Sequence, residues 1–314
     1  MISAYQLFSL IVLYQFGTTV IFGFASDAGR DAWVAAALSS LLGAGLICGY
    51  ALLTKLNGHS SLVSWFTRNF GIWAGTPIAW LYPLLFLYDG ARVICDLKFL
   101  LPLTLLPATP PWFFLLAFML VVIYLLDAGA QVLFRMAGIL LPVLLVFILL
   151  EALLLWVSGS LHLSYVRPVL GQGFGKVLSS VWPLGITQTY GETIEIAVLW
   201  HLMKKESRLG LISIGATLFA AMFIVLFDIL AVTALGERLF QEMIFPAFTI
   251  LKLSRIADFL ENLDALGALY FMCTAFIKLS VHLLTAVLCI RELLQTKSYT
   301  PVIWTCAAAS SLWP

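Results

Sequence analysis

Long apolar stretches, each of about twenty residues, recur along this chain and limit what it can fold into. A helix of that length crosses the hydrocarbon core of a lipid bilayer. Hydrophobic residues make up 62% of the sequence and charged residues only 11%, so a water-soluble surface could not be covered with polar groups. The predicted spans are 5–24, 34–53, 77–99, 111–126, 136–158, 177–200, 209–234 and 266–288, with a ninth that begins near Pro301. The sequence therefore predicts an all-α, polytopic membrane helix bundle, with a single transmembrane domain over residues 1–314.

The composition also excludes several function classes. A net charge of +1 gives no electrostatic basis for binding nucleic acid. The five cysteines lie in apolar runs without a CxxC pair, which is typical of buried free thiols. The four histidines, including His282, follow no metal-ligand spacing and are interpreted as loop or helix-end residues, so no metal or cofactor is predicted. Neither a phosphate-binding loop nor a catalytic Ser/His/Asp or Cys/His set can be assembled, so the chain is not predicted to be an enzyme.

The segments between the spans predict an orientation. Lys and Arg in these loops divide eight against three between the two sides, and the richer side includes Lys55, Arg135 and Arg291. By the positive-inside rule this side is cytoplasmic, which predicts a cytoplasmic N-terminus. Asp31 is predicted to cap the second span. Residues 237–263 alternate apolar and charged side chains and are predicted to lie as an amphipathic segment at the membrane interface.

The third predicted span carries charged residues that are costly to place in lipid. Asp89, Arg92 and Asp96 are separated by three and four residues. This spacing places all three on one helix face, with the guanidinium between two carboxylates. Two interpretations stay open, namely a self-neutralising cluster that fixes helix packing and a gate on an ion path.

Helix-breaking residues mark the sixth span and, more weakly, the first. Pro183 and two glycines interrupt the sixth span beside Glu192. Backbone groups freed there must be satisfied by protein, water or ligand, so the pattern predicts a helix broken at mid-membrane. The first span has a weaker signal at Gly17-Thr18-Thr19. Taken alone, it favours close packing, because glycine in a membrane helix more often marks packing than unwinding.

One basic residue, Lys278, lies in the middle of the eighth span, too far from either end to reach the membrane surface easily. A buried lysine needs a carboxylate partner, and Glu192 is a candidate. Glu151 and Asp228 are isolated in their spans and are interpreted as packing or cavity-facing residues.

Breaks at corresponding positions of the first and sixth spans favour a five-plus-five inverted-repeat transporter fold. The first repeat would cover about 1–160 and a second, incomplete repeat about 177–314. Segments spread over the chain also follow the pattern of one known family. They are 2–8 with 15–18, 29–33, Arg92-x-x-x-Asp96 with 106–110, Arg167-Pro168-Val169-Leu170-Gly171-Gln172-Gly173, Tyr190-Gly191-Glu192 and 261–264. In these segments the chain resembles the B subunit of spore germinant receptors, the spore-permease branch of the amino acid–polyamine–organocation superfamily.

The resemblance implies a germinant sensor in the inner membrane of a spore, assembled with an A subunit and a lipoprotein C subunit. Its ligands would be small nutrients such as amino acids, sugars or nucleosides. The implied ligand site lies between the broken first and sixth spans. It comprises Gly17, Thr18, Gly191 and Glu192, with Lys278 nearby.

Three functions remain open on the sequence alone. The leading hypothesis is a receptor subunit in which a nutrient shifts the population towards one packing of the broken helices. The alternative is an ion- or proton-coupled secondary transporter of amino acids or related solutes, with Lys278 or Glu192 as the coupling group. The third is a structural subunit without a ligand. Family members normally continue past a segment like 311–314 to complete a ninth and a tenth span, so we expect a fragment, a truncated copy or completion by a partner.

Overall fold

The fold is described from a computed structural model, over residues 2–17, 19–104, 108–203, 208–253 and 263–312. Every regular element in these ranges is helical, which confirms the all-α class. The α-helices are α1 (Ala4–Phe16), α2 (Thr19–Phe22), α3 (Ala32–Leu56), α4 (Leu62–Thr104), α5 (Pro111–Asp127), α6 (Ala130–Val157), α7 (Phe174–Ser180), α8 (Ile194–Leu199), α9 (Leu209–Glu242), α10 (Pro246–Leu253), α11 (Leu263–Leu293) and α12 (Thr300–Ser311).

Within the described ranges, 6 helical segments are long and apolar enough to cross a membrane. They are Ala4–Phe22, Ser26–Leu56, Leu62–Leu103, Ala130–Val157, Leu209–Glu242 and Gly267–Leu293. The shorter apolar helix α5 occupies the predicted fourth span. These segments confirm a polytopic membrane helix bundle.

Helices α1 and α11 form the centre of the bundle. Every residue of α1 from Ser9 to Phe16 is buried, and the helix packs against α6, α9 and α11. Helix α11 packs along α4, and α3 packs along α9. The outer helices instead expose large apolar side chains, such as Leu41 of α3, Leu81 of α4 and Val146 of α6. An apolar outer surface around an apolar core is what a lipid-embedded bundle requires.

Helix α4 begins much earlier than its predicted span, at Leu62 instead of residue 77. It turns sharply at Gly71, whose φ of 74° is readily available only to glycine. Before this turn Val63 and Trp65 pack into the core, while Arg68 stays at the surface. The first part of α4 is therefore amphipathic, which a search for membrane-length apolar runs does not detect.

The predicted interfacial segment 237–263 follows a second glycine turn, at Gly236 with φ 77°. After this turn Phe240 is fully buried, whereas Arg238 and Glu242 form an exposed ion pair at 2.9 Å. The end of α9 therefore has one apolar and one charged face, and the position of the segment at the membrane interface stays a prediction. Helix α10 comes next, and residues 254–262 of the predicted segment lie outside the described residues.

The first and sixth spans are both broken, as the sequence predicts. Helix α1 ends at Phe16, Gly17 takes φ 29°, and helix resumes in α2. The sixth span consists of α7, a π-helical turn Val181–Gly185, a 3-10 turn Gly191–Thr193 and α8. The inverted-repeat relation between the two halves of the chain stays a prediction.

Candidate functional site

An ion pair joins the broken sixth helix to α11. Lys278 Nζ lies 2.8 Å from Glu192 Oε2, and the two side chains are only 5% and 8% exposed. This contact confirms the pairing that the buried lysine predicts. The stem of Lys278 passes over Gly17, where an added Cβ would lie 2.4 Å from Lys278 Cδ. Gly17 therefore serves both interpretations of the first span, because it ends α1 and also allows close packing.

Arg92 of α4 extends this pair into a cluster. Its Nη1 lies 3.6 Å from Asp89 Oδ1 and 3.7 Å from Glu192 Oε1. The guanidinium thus lies between two carboxylates, as predicted, but the second of them is Glu192 of the sixth span instead of Asp96 of the same helix. Asp96 lines a cavity beside Arg92. Since Arg92 is 43% exposed, it forms the open edge of an otherwise buried cluster.

His282 adds a second layer to the cluster. Its Nδ1 lies 2.6 Å from Glu195 Oε1, and Glu195 Oε2 accepts a hydrogen bond from Thr285 at 3.0 Å. His282 and Glu195 are both fully buried, so the interpretation of His282 as a loop or helix-end residue is wrong. A spacing signal was available, because His282 follows Lys278 by four residues and Glu195 follows Glu192 by three. Helical geometry places each pair on one face.

Polar side chains satisfy the backbone at the two breaks. Tyr14 donates its hydroxyl hydrogen to the Glu192 carbonyl oxygen at 3.1 Å. Thr274 donates to the Gly17 carbonyl oxygen at 2.9 Å. Thr19 Oγ1, after the first break, lies 3.0 Å from Thr189 Oγ1 of the sixth span. Carbonyls freed by unwinding need such partners in a lipid environment, so the two breaks stabilise each other.

A cavity of about 240 Å³ lies between the two breaks. This volume is several times the roughly 30 Å³ that one water molecule takes up in the liquid, so the cavity has room for a small solute. The lining combines two cationic groups, one carboxylate, hydroxyls, an amide and aromatic rings. It consists of Thr19, Phe22, Gly23, Phe24, Arg92, Asp96, Gln188, Thr189 and Lys278. A concave site with a few converging polar groups is the usual form of a small-molecule site.

The comparison with known proteins agrees with this architecture. A sequence profile described as "Spore germination protein" matches residues 1–312. The chain belongs to the spore germination protein family. It is 26% identical over 297 residues to spore germination protein KB of Bacillus subtilis (strain 168), which covers 95% of this chain and 80% of that protein. It is also similar to spore germination protein XB of Bacillus anthracis, at 24% identity over 81% of this chain and 70% of that protein. Spore germination protein A2 of Bacillus subtilis (strain 168) is 22% identical over 90% of this chain and 78% of that protein.

Two of the segments that resemble the spore germination family meet in one polar network away from the cavity. Arg30 pairs with Glu237 through its Nε at 2.7 Å, and its Nη1 donates to the Arg167 carbonyl oxygen at 2.9 Å. Asp31 Oδ1 accepts a hydrogen bond from the Leu170 backbone N–H at 2.8 Å. Asp31 occupies the N-cap position of α3, as predicted, but its side chain makes no capping hydrogen bond to that helix. The network ties the chain after the first broken helix to the chain before the sixth.

The predicted ligand residues of this family member have different positions relative to the cavity. Lys278 lines the cavity, whereas Glu192 is not a lining residue and forms the ion pair with Lys278. Gly17 packs against the Lys278 stem, and Gly191 lies in the 3-10 turn that carries Glu192. Thr18 lies outside the described residues. Sequence reasoning placed Thr19 at the first break but not in the ligand site, and it did not assign the lining residues Gln188 and Thr189 to the site, because such residue types are common in membrane helices.

Glu151 and Asp228, the two acids that are isolated in their predicted spans, do not line the cavity between the two breaks. Glu151 lines a separate, mostly apolar cavity of about 50 Å³ together with Tyr270, as its cavity-facing interpretation predicts. Asp228 is fully buried in α9. The small apolar cavity lacks the converging charges of the larger one, so the cavity at the two breaks is the stronger candidate for a polar ligand.

Proposed function

We propose that this chain is the membrane-embedded subunit of a spore germinant receptor and that it senses a small nutrient in the cavity between its two broken helices. One observation carries the proposal. The 240 Å³ cavity is bounded by both breaks and presents Arg92, Lys278 and Asp96 together. Membership of the spore germination protein family supplies the biological setting, which is the inner membrane of a spore. The role is binding and signalling, without catalysis.

The lining favours a ligand that carries both signs of charge. Arg92 and Lys278 can donate charge-assisted hydrogen bonds to a carboxylate, and Asp96 can accept them from an ammonium group. Thr189 and Gln188 offer further polar contacts that an amino acid, a sugar or a nucleoside could use. An amino acid is the first candidate, because its two charged ends match the two kinds of charged group in the lining.

Signalling would follow from the position of Glu192. This residue belongs to the re-forming sixth helix, yet it pairs with Lys278 of α11 and lies near Arg92 of α4. A ligand carboxylate that engages Lys278 or Arg92 competes with Glu192 for the same cations. Binding would therefore favour one packing of α8 against α4 and α11 over another. Germinant receptor A and C subunits would read this difference, with the N-terminus of the chain on the cytoplasmic side.

The test is a ligand screen on the purified protein in lipid nanodiscs. Amino acids, sugars and nucleosides are compared by their effect on the Tm, because a ligand that binds only the folded state raises it. We expect at least one nutrient to raise the Tm of the wild type and of a Glu242→Gln control, but not of Asp96→Asn. Glu242 is an exposed carboxylate outside the cavity, so it controls for the loss of one negative charge.

Three outcomes would overturn the proposal. A nutrient that stabilises wild type and Asp96→Asn equally would place its site elsewhere. Concentrative uptake of the nutrient by this chain alone, in proteoliposomes, would identify a transporter. If no nutrient from the three classes changes the Tm, the chain is a structural subunit without a ligand.

A further inference from the structure

Three buried side chains from three separate helices converge behind the nutrient cavity. They are Asp89 of α4, Glu195 of α8 and His282 of α11. One potential ligand atom from each, a carboxylate oxygen or a ring nitrogen, lies within 4.8 Å of the other two. Their residues are only 6%, 0% and 0% exposed, respectively. Such convergence from distant parts of the sequence gives three donors around a common point.

The orientation of His282 leaves one ring nitrogen free. Its Nδ1 lies 2.6 Å from Glu195 Oε1, while Thr285 donates a hydrogen bond to the other Glu195 oxygen. Its Nε2 has no hydrogen-bond partner among the described residues, and Glu192 Oε2 lies 3.9 Å from it. A metal ion that replaces the proton between Nδ1 and Glu195 Oε1 would leave the Nε2–H group facing Glu192, and metal-bound imidazoles usually donate their other N–H to such a carboxylate.

The charges of the buried cluster are not balanced by its own residues. Asp89, Glu192 and Glu195 are carboxylates, and Lys278 is the buried cation between the helices. With a neutral His282 these three carboxylates and Lys278 carry two net negative charges, and Arg92, at 3.6 Å from Asp89 and 3.7 Å from Glu192 on the open edge, reduces this to one. Uncompensated negative charge is costly in the membrane interior, and either a bound metal cation or a proton on His282 would compensate it.

We propose that Asp89, Glu195 and His282 form a binding site for a divalent transition-metal ion. A mixed set of imidazole nitrogen and carboxylate oxygen suits Zn²⁺, Mn²⁺ or Fe²⁺ better than Mg²⁺ or Ca²⁺, which prefer oxygen ligands alone. The ion reaches the site past Arg92, which borders both the cavity and Asp89. Bound there, it links α8 to α4 and α11 about one helical turn from the Glu192–Lys278 pair. The site does not depend on the identity of the nutrient, or on there being one.

Metal binding is tested on the full chain, purified in detergent and stripped with a chelator. Zn²⁺ is added, excess is removed, and the bound metal is measured by mass spectrometry together with the Tm. We expect about one equivalent of Zn²⁺ and a higher Tm for wild type and for His201→Gln, an exposed histidine outside the cluster. We expect both effects to be lost in His282→Gln and in Asp89→Asn. Equal retention of zinc in the wild type and His282→Gln overturns the proposal, as does no retention in the wild type.

A measurement on the wild type alone covers the case in which these variants do not fold. Mn²⁺ is bound to the stripped protein, and electron spin echo modulation detects nitrogen nuclei bonded to it. The proposal predicts the modulation of one imidazole nitrogen. If the Mn²⁺ spectrum shows no nitrogen ligand, or if Mn²⁺ does not bind, the proposal is wrong and a protonated His282 balances the cluster instead.

Discussion

Replacing Glu192 by glutamine should destabilise the protein strongly, because it leaves Lys278 charged and without its carboxylate. The two side chains are only 8% and 5% exposed, so little solvent can compensate for the lost partner. Removing one member of a buried ion pair typically costs about 3–5 kcal/mol. At about 2 °C of Tm per kcal/mol for a chain of this size, Glu192→Gln should lower the Tm by roughly 6–10 °C.

The assay is thermal unfolding in detergent, with two further variants. Glu242→Gln removes the same charge from a pair of nearly the same length, 2.9 Å with Arg238, but that pair is exposed and its loss should leave the Tm unchanged. The double variant Glu192→Gln/Lys278→Met removes both buried charges and should recover at least half of the lost Tm. The reasoning is refuted if Glu192→Gln behaves like the surface control, or if the double variant is as unstable as the single one.

Three further predictions concern glycines and the polar network outside the cavity. Gly43→Ala should lower the free energy of unfolding by about 1–3 kcal/mol, because the added Cβ would lie 2.3 Å from the Tyr190 ring. The control Gly49→Ala, on the same helix, meets nothing within 4 Å and should be neutral or stabilising in the same thermal unfolding assay. Gly17→Ala should lower the Tm and weaken nutrient binding, because it strains a residue at φ 29° and displaces the stem of Lys278. An unchanged affinity for the nutrient would show that the first break does not contribute to the binding site. Glu237→Ala should speed amide hydrogen exchange in residues 163–173 without changing exchange in α1. If exchange in residues 163–173 is the same in the variant as in the wild type, the polar network does not stabilise this segment.

Much of the fold follows from the sequence because lipid imposes simple costs. Span length, the break in the sixth span and the partner of Lys278 all follow from what an apolar environment excludes. The pairing with Glu192 was predictable since few carboxylates lie at mid-membrane. By contrast, the amphipathic start of α4 at Leu62 gives no membrane-length apolar signal.

The remaining details depend on contacts between distant segments. Asp31 carries the signature of a helix cap, but its carboxylate accepts a hydrogen bond from Leu170, which is 139 residues away. Asp96 lies at the right spacing to pair with Arg92, yet tertiary packing brings Glu192 there instead. His282 is one of four scattered histidines until folding places it against Glu195. Local spacing restricts such partners to a helix face but does not choose between helices.

The central claim is that a nutrient occupies the cavity between the two broken helices, and filling that cavity tests it most directly. Gln188 lines the cavity, and its neighbour Thr187 is also exposed but does not line it. The affinity for the nutrient found in the ligand screen is measured for Gln188→Trp and Thr187→Trp in nanodiscs. The account predicts that Gln188→Trp weakens binding by about tenfold or more, about 1.4 kcal/mol, while Thr187→Trp binds like the wild type. Wild-type affinity in Gln188→Trp would contradict it.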